Sequence, residues 1–450
     1  MGTCEEEMAC NRALSVDRRS RLRVRVGTIA RAFVAVATLA SCATTKVAPL
    51  TDTASGYAAE EDESALIRQA EEYEQKLRAQ GLIYEDPELQ QYLDGVCRKL
   101  VPQAAADRVQ FHFAVVREPT INAFSLPQGG IYLHAGLLAR LENEAQLAHV
   151  VGHEITHTVK RHQLTFVRSL QNKTVAAKVA QMVLVPAAVA FGGGAGGNLV
   201  SSVLGLTYVA AVTGYGRENE EEADAEGLKL AAASGYRVQE APRLFAVLNE
   251  VEDPGALQTF FYSDHPANQT RARYTQALLD SGTISIPAQG VTNTEAYQSA
   301  TRGVAQENIH LRLQKAHYQY ALAEAENGLA RHGDDAWLHY YAGEAHRQIA
   351  ADPEGAAREQ AMRHRKEADK ALIESFKQRA GEERAAARAA YLRALELDPT
   401  LALAHRGIGL VAYQQGDKQT TRDELQAYLR GTQKVADKRY IEKILAEVAQ

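Results

Sequence analysis

The 450-residue sequence predicts an α+β, mostly helical chain in which a domain with one small sheet precedes an all-α region of paired helices. Three observations predict this. Short extended segments crowd into residues 109–134, helical periodicity dominates on both sides of them, and the last third is rich in Ala, Arg, Glu and Leu. With 46% hydrophobic residues the composition is globular, and the chain is too long for one ordinary domain.

Arg18, Arg19, Arg21, Arg23, Arg25 and Arg31 precede a short apolar run, Ala32 to Ala40, the layout of a secretory signal rather than a membrane span. The run ends in Leu39-Ala40-Ser41-Cys42, which resembles the bacterial lipobox. That resemblance implies a lipoprotein signal over 1–41, lipidation at Cys42 and attachment to the membrane by the lipid anchor only. Ala43 rather than an acidic residue follows, which by the sorting rule of such lipoproteins implies the outer membrane, facing the periplasm. Residues 1–41 hold seven Arg against four acids, so a chain starting at Cys42 would carry −9 in place of −6. Such a balance argues against nucleic acid as a partner. Only Cys97 would then accompany Cys42, leaving no internal disulfide, and Cys97 reads as a buried apolar residue.

Residues 42–59, rich in Thr, Ala and Ser, read as a tether. Helices are expected over 60–80 and 87–100, the second with Leu89, Tyr92, Leu93, Val96 and Leu100 on one face. Strands follow at 109–115, 122–126 and 131–134, and 142–162 has the spacing of one buried helix. The apolar stretch 174–212 is broken by Pro186 and a Gly-rich run at 191–197, which favours a hairpin or loop over a membrane span. Further helices are expected at 217–234 and 239–251, and a linker at 281–304 closes a domain running from 60 to 280. Residues 305–450 resemble tetratricopeptide helix pairs: Asp398-Pro399 closes one unit, and Ala342-Gly343 and Ile408-Gly409 occupy the slot where a small residue lets two helices approach. Asp352 to Arg384 fits that repeat poorly.

His153-Glu154-Ile155-Thr156-His157 places two imidazoles at i and i+4 of a helix, about 40° apart around the axis, so both can bind one ion. Glu154 beside them can take a proton from attacking water and hand it to a leaving amine. A third ligand must come from elsewhere. On a continuing helix His162 lies roughly 140° around from His157, pointing away, and reads as a surface or packing residue, while His149 is about 12 Å of rise from His157 and reads as outer support for a ligand or a bystander. Glu220 and Asp224 share a face of the acidic helix, so Glu220 can coordinate while Asp224 accepts a bond from a ligand imidazole.

Asn122-Ala123-Phe124 with Pro127, the motif at 153–157, Arg217-x-x-Glu220-x-x-Ala223-Asp224, and His265-Pro266 followed by Arg271 together resemble the metallopeptidase family of the HtpX heat-shock protease and the CAAX prenyl proteases. With its signal and repeats, the chain is most similar to the soluble periplasmic BepA-type branch. The resemblance implies a zincin domain of the gluzincin kind holding one Zn2+ on His153, His157 and Glu220, with Glu154 as base and Asp224 orienting a ligand. It also implies a catalytic or latching role for His265, supported by Arg271. The strand at Ile131, Tyr132 and Leu133, together with Asn122, is expected to pair with an extended peptide, giving an endopeptidase for unfolded or misassembled envelope polypeptides. The repeats would then contact envelope assembly machinery. The competing reading is a repeat-based assembly factor with a latent or structural metal site.

Overall fold

A computed structural model of the chain describes residues 47–52, 58–170, 216–249, 268–363, 366–432 and 437–449. Cys42, the Gly-rich run and His265 lie outside them. Helix α1 (Glu61–Ala79) starts on three consecutive acids that favour the positive end of a helix. Helix α2 (Pro87–Cys97) starts at a proline and is capped by Asp86, whose carboxylate accepts from the Glu88 and Leu89 amides. After the short helix α3 (Gln103–Ala106) come β1 (His112–Val116), β2 (Ala123–Ser125) and β3 (Gly130–His134).

The sheet order is β1-β3-β2, with β1 parallel and β2 antiparallel to β3. Alternation sends Ile131 and Leu133 to one face, where they join Leu93, Phe113, Val151 and Ile155, and Tyr132 to the other, where it stacks on Phe124 beneath α1. The expectation that β3 pairs with a peptide is therefore corrected. Both of its edges are taken, by Phe113–Val115 and by Ala123–Ser125, and Ile131, Tyr132 and Leu133 are fully buried core.

Helices α4 (Ala135–Arg140), α5 (Glu144–Val159) and α6 (His162–Leu170) follow the sheet, then α7 (Arg217–Ala233), α8 (Glu240–Asn249) and α9 (Asn268–Asp280). The single helix expected over 142–162 is two helices. Arg161, with φ +56°, breaks it, and its side chain turns back to a buried ion pair with Glu63 of α1 and donates to the Ala48 carbonyl at 3.1 Å.

The linker expected over 281–304 is helix from Thr294 onward: α10 (Thr294–Gln314) lays Tyr297, Val304 and Leu311 into the first domain's core, and the Tyr297 hydroxyl donates to the Leu138 carbonyl at 2.7 Å. Helices α11 (Tyr318–His332), α12 (Ala336–Ala351), α13 (Pro353–Arg363), α14 (Lys370–Leu397), α15 (Ala402–Gln415), α16 (Lys418–Gly431) and α17 (Lys438–Val448) complete the chain. The paired-helix reading explains its glycines. A Cβ on Gly343 would lie 2.6 Å from the Tyr391 ring, and one on Gly409 would lie 2.7 Å from Leu425. The poorly fitting stretch is α13 and the overlong start of the 28-residue α14. No helix among the described residues is long and apolar enough to cross a membrane.

Candidate metal centre

The helix that carries the paired histidines is fixed at its start. Asn143 caps α5 by accepting from the Gln146 amide at 3.0 Å, and the buried Glu144 carboxylate receives Tyr92 at 2.7 Å and Tyr236 and Asn293 at 2.8 Å. A carboxylate here also suits the positive end of the helix. Farther along, α5 crosses α7 at two glycines: a Cβ on Gly152 would sit 2.9 Å from the Gly227 carbonyl oxygen, and one on Gly227 would sit 2.8 Å from the His153 nitrogen. Backbone-to-backbone approach of this kind lets a short carboxylate on α7 reach the imidazoles on α5.

Glu220 does so. Its carboxylate oxygens lie 3.5 Å from His153 Nε2 and 3.7 Å from His157 Nε2, and the two Nε2 atoms are 3.0 Å apart. Tetrahedral zinc with bonds of about 2.0–2.2 Å separates its ligand atoms by roughly 3.3–3.6 Å, a range that the 3.0, 3.5 and 3.7 Å separations bracket. The donor set of two imidazoles and a carboxylate, all buried, thus fits one such ion in both chemistry and spacing. Glu154, on the same helix, is 6% exposed.

Asp224, one turn after Glu220, accepts from His153 Nδ1 at 2.9 Å, which turns His153 Nε2 toward the shared point. Arg271 grips the same carboxylate with two donors, Nη2 at 2.5 Å and Nε at 2.9 Å, and stacks its guanidinium over Phe245 at 4.5 Å. Burial alone would raise the Asp224 carboxyl, but Arg271 and His153 outweigh it and hold it well below the usual range. Burial likewise opposes charge on His153, yet Asp224 and Glu220 bring the imidazole up to about 9. Sequence reading gives Arg271 a place beside His265; the structure gives it Asp224, so among the described residues it positions the carboxylate that positions His153. Arg217, part of the same motif, is exposed and pairs with Glu221 at 2.8 Å.

His162 corrects its sequence reading. Because the chain reverses at Arg161, the ring does not continue around the helix but folds back, and its Nδ1 lies 2.8 Å from His157 Nδ1. Burial lowers its pKa to about 4, which leaves the imidazole neutral near pH 7. A left-handed Arg was the one signal needed, and nothing in the residue types 157–162 marks it. His149 is buried, edge-on to Phe245 at 5.7 Å and 4.0 Å from Asp224, and burial lowers its pKa to about 3. Asn122 precedes β2 and is buried, with no hydrogen-bond partner for Oδ1 among the described residues. Cys97 is buried and unpaired, in keeping with a packing role.

Residues 87–278 match the model of peptidase family M48, and residues 380–416 match a tetratricopeptide repeat. The beta-barrel assembly-enhancing protease of Yersinia pestis is 31% identical over 180 residues, 39% of this chain and 36% of that protein. The Escherichia coli (strain K12) protein of the same name is 27% identical over 210 residues, 44% of this chain and 40% of that protein. The mitochondrial metalloendopeptidase OMA1 of Arabidopsis thaliana is 30% identical over 165 residues, 37% of this chain and 31% of that protein. The chain thus matches well under half the length of each of these relatives.

Proposed function

From a chain whose residues 87–278 form a peptidase family M48 domain followed by a helical region containing a tetratricopeptide repeat, we propose a zinc-dependent endopeptidase acting on unfolded or misassembled envelope polypeptides. The observation that carries the proposal is the convergence of His153, His157 and Glu220 on one point, with Glu154 next to His153 on the same helix. His153, His157 and Glu220 would hold the zinc, which would supply Lewis-acid polarisation of the scissile carbonyl. Glu154 receives the proton of the attacking water and returns it to the leaving amine, and the low-exposure setting strengthens each of these interactions. Asp224 and Arg271 keep His153 in one orientation.

For the peptide, β2 replaces β3 as the binding strand. His134 donates to the Asn122 carbonyl at 3.0 Å and Leu126 to the Gly130 carbonyl at 2.9 Å, so alternation turns the Ala123 and Ser125 backbone groups away from β3. That outward row lies on the strand that packs against α5 and is itself buried, with the Gln163 amide donating to the Ser125 carbonyl at 3.4 Å; a substrate in extended form would displace Gln163 and add there through backbone bonds, with loose sequence preference. Cys42 as a lipid anchor would hold the enzyme at the outer membrane on the periplasmic side. The name of the bacterial relatives, beta-barrel assembly-enhancing protease, supports a role in beta-barrel assembly, with the repeats engaging clients or assembly machinery. His265, by the resemblance, is proposed to donate to the developing oxyanion or to latch the resting site.

Burial favours one element of the second reading. His153, Glu154, His157 and Glu220 are exposed by 4, 6, 1 and 0%, as suits a resting form that must open before a peptide enters. One experiment addresses both readings. Wild type and Glu154→Gln, each loaded with one zinc, are given an unfolded polypeptide. The wild type is expected to cleave it at least about 100-fold faster. Equal cleavage by the two removes the peptidase assignment, and binding without cleavage by either supports the latent factor.

A further inference from the structure

The two ligand imidazoles are backed in different ways. His153 has a carboxylate behind it, Asp224, neutralised by Arg271. His157 has His162, with Nδ1 facing Nδ1 at 2.8 Å. Since His157 turns Nε2 toward His153 and Glu220, its proton belongs on Nδ1 and is donated to His162 Nδ1. An accepting Nδ1 leaves the His162 proton on Nε2, and that nitrogen points at Glu222 Oε2, 3.4 Å away, on α7. Lys160 holds Glu222 from the other side at 2.6 Å.

We propose that His162 is a positioning residue for the metal centre, a neutral imidazole that orients His157 for coordination and is itself oriented by the Glu222–Lys160 pair. The inference rests on the zinc reading above and names the support of one ligand within it. Its physical sense is charge. Glu154, Glu220 and Asp224 already bring three carboxylates into a buried space around one divalent ion and Arg271. A fourth behind His157 would add a buried anion with no cation to match it. A neutral acceptor gives direction without that burden, and the anionic end of the chain, Glu222, is displaced to a position 40% exposed, where Lys160 and water meet it. The left-handed Arg161 is what returns His162 to this place, and the buried Arg161–Glu63 pair ties that turn to α1.

The test compares full-length wild type, His162→Phe, His162→Asn and Glu222→Ala for zinc affinity by chelator competition and for the visible spectrum of the cobalt(II) form. Unfolding of the metal-free proteins serves as the fold control. His162→Phe, which removes the acceptor, is expected to weaken zinc binding about 10- to 100-fold, the usual effect of losing a ligand's outer partner. His162→Asn, whose amide oxygen can still accept, is expected to restore most of it and return the cobalt spectrum to that of wild type. Phe binding zinc as tightly as wild type, or Asn and Phe losing affinity equally, overturns the inference. Should His162→Phe not fold, Glu222→Ala decides: an altered cobalt spectrum supports the relay and an unaltered one overturns it. The zinc reading fails by a separate sign, wild type binding no zinc or losing none on His153→Ala, whatever the order among these variants.

Discussion

At the residue scale the centre is a set of directions imposed on a few side chains. Asp224 accepts from one imidazole and two guanidinium nitrogens at once, and every member of that cluster is buried. Replacing it with Asn leaves Arg271 charged and poorly matched in a site it cannot leave. The metal-free Asp224→Asn protein is therefore expected to be less stable by roughly 3–5 kcal/mol, the cost of breaking a buried pair from one side. Urea unfolding measures this, and an unchanged midpoint would show that Arg271 finds other compensation. The candidate ligands were legible in sequence, because i and i+4 spacing and a later Glu–Asp turn are statements about helices that need no tertiary knowledge. The role of His162 was not legible. It depends on a single φ at Arg161, an arginine that the local sequence gives no reason to place in the left-handed region.

Elements deliver those residues through the crossing of α5 and α7. Gly152 and Gly227 meet with no room for a side chain on either, so the distance between the helices, and with it the reach of Glu220, is set by two hydrogen atoms. Gly227→Ala would place a Cβ 2.8 Å from the His153 nitrogen, against backbone that cannot swing aside. The expected result is a destabilisation of about 1–3 kcal/mol together with weaker zinc binding, as the helices part and the carboxylate withdraws. Calorimetry with and without zinc separates the two effects, and a variant that loses stability but keeps full metal affinity would show that Glu220 does not depend on the crossing. Amphipathic spacing located most helices, and alternation located the strands. Pairing order was another matter. Three short strands with apolar residues on both faces allow several arrangements, and the sequence reading put the peptide on Ile131–Leu133, which the register makes the central strand.

At the scale of the molecule the catalytic domain and the repeats share a helix. Polarity and turn-forming residues in 281–304 read as a linker, yet Ile284, Tyr297, Val304 and Leu311 are buried in the same core as α5, and Val291 bridges to Tyr236. Ile309, on the other side of α10, joins the core of α11 and α12 instead. Burying Ile284, Val304 and Leu311 is worth roughly 1.5–3 kcal/mol each, so their sum approaches the whole margin by which a domain is usually folded, about 5–15 kcal/mol. A fragment ending at residue 280 exposes that face and is expected to be unfolded or aggregated, whereas one ending at residue 316 retains α10 and the groups its hydroxyl and amides serve, including Tyr297 on Leu138 and Asn293 on Glu144 at the start of α5. Expression of both fragments, followed by circular dichroism and zinc content, distinguishes them. If the shorter one folds and binds metal as well as the longer, α10 belongs to the repeats alone. If only the longer does, the helix that leads into the C-terminal helical region is also part of what holds the candidate metal helix in place, and a force on that region would reach the centre through α10.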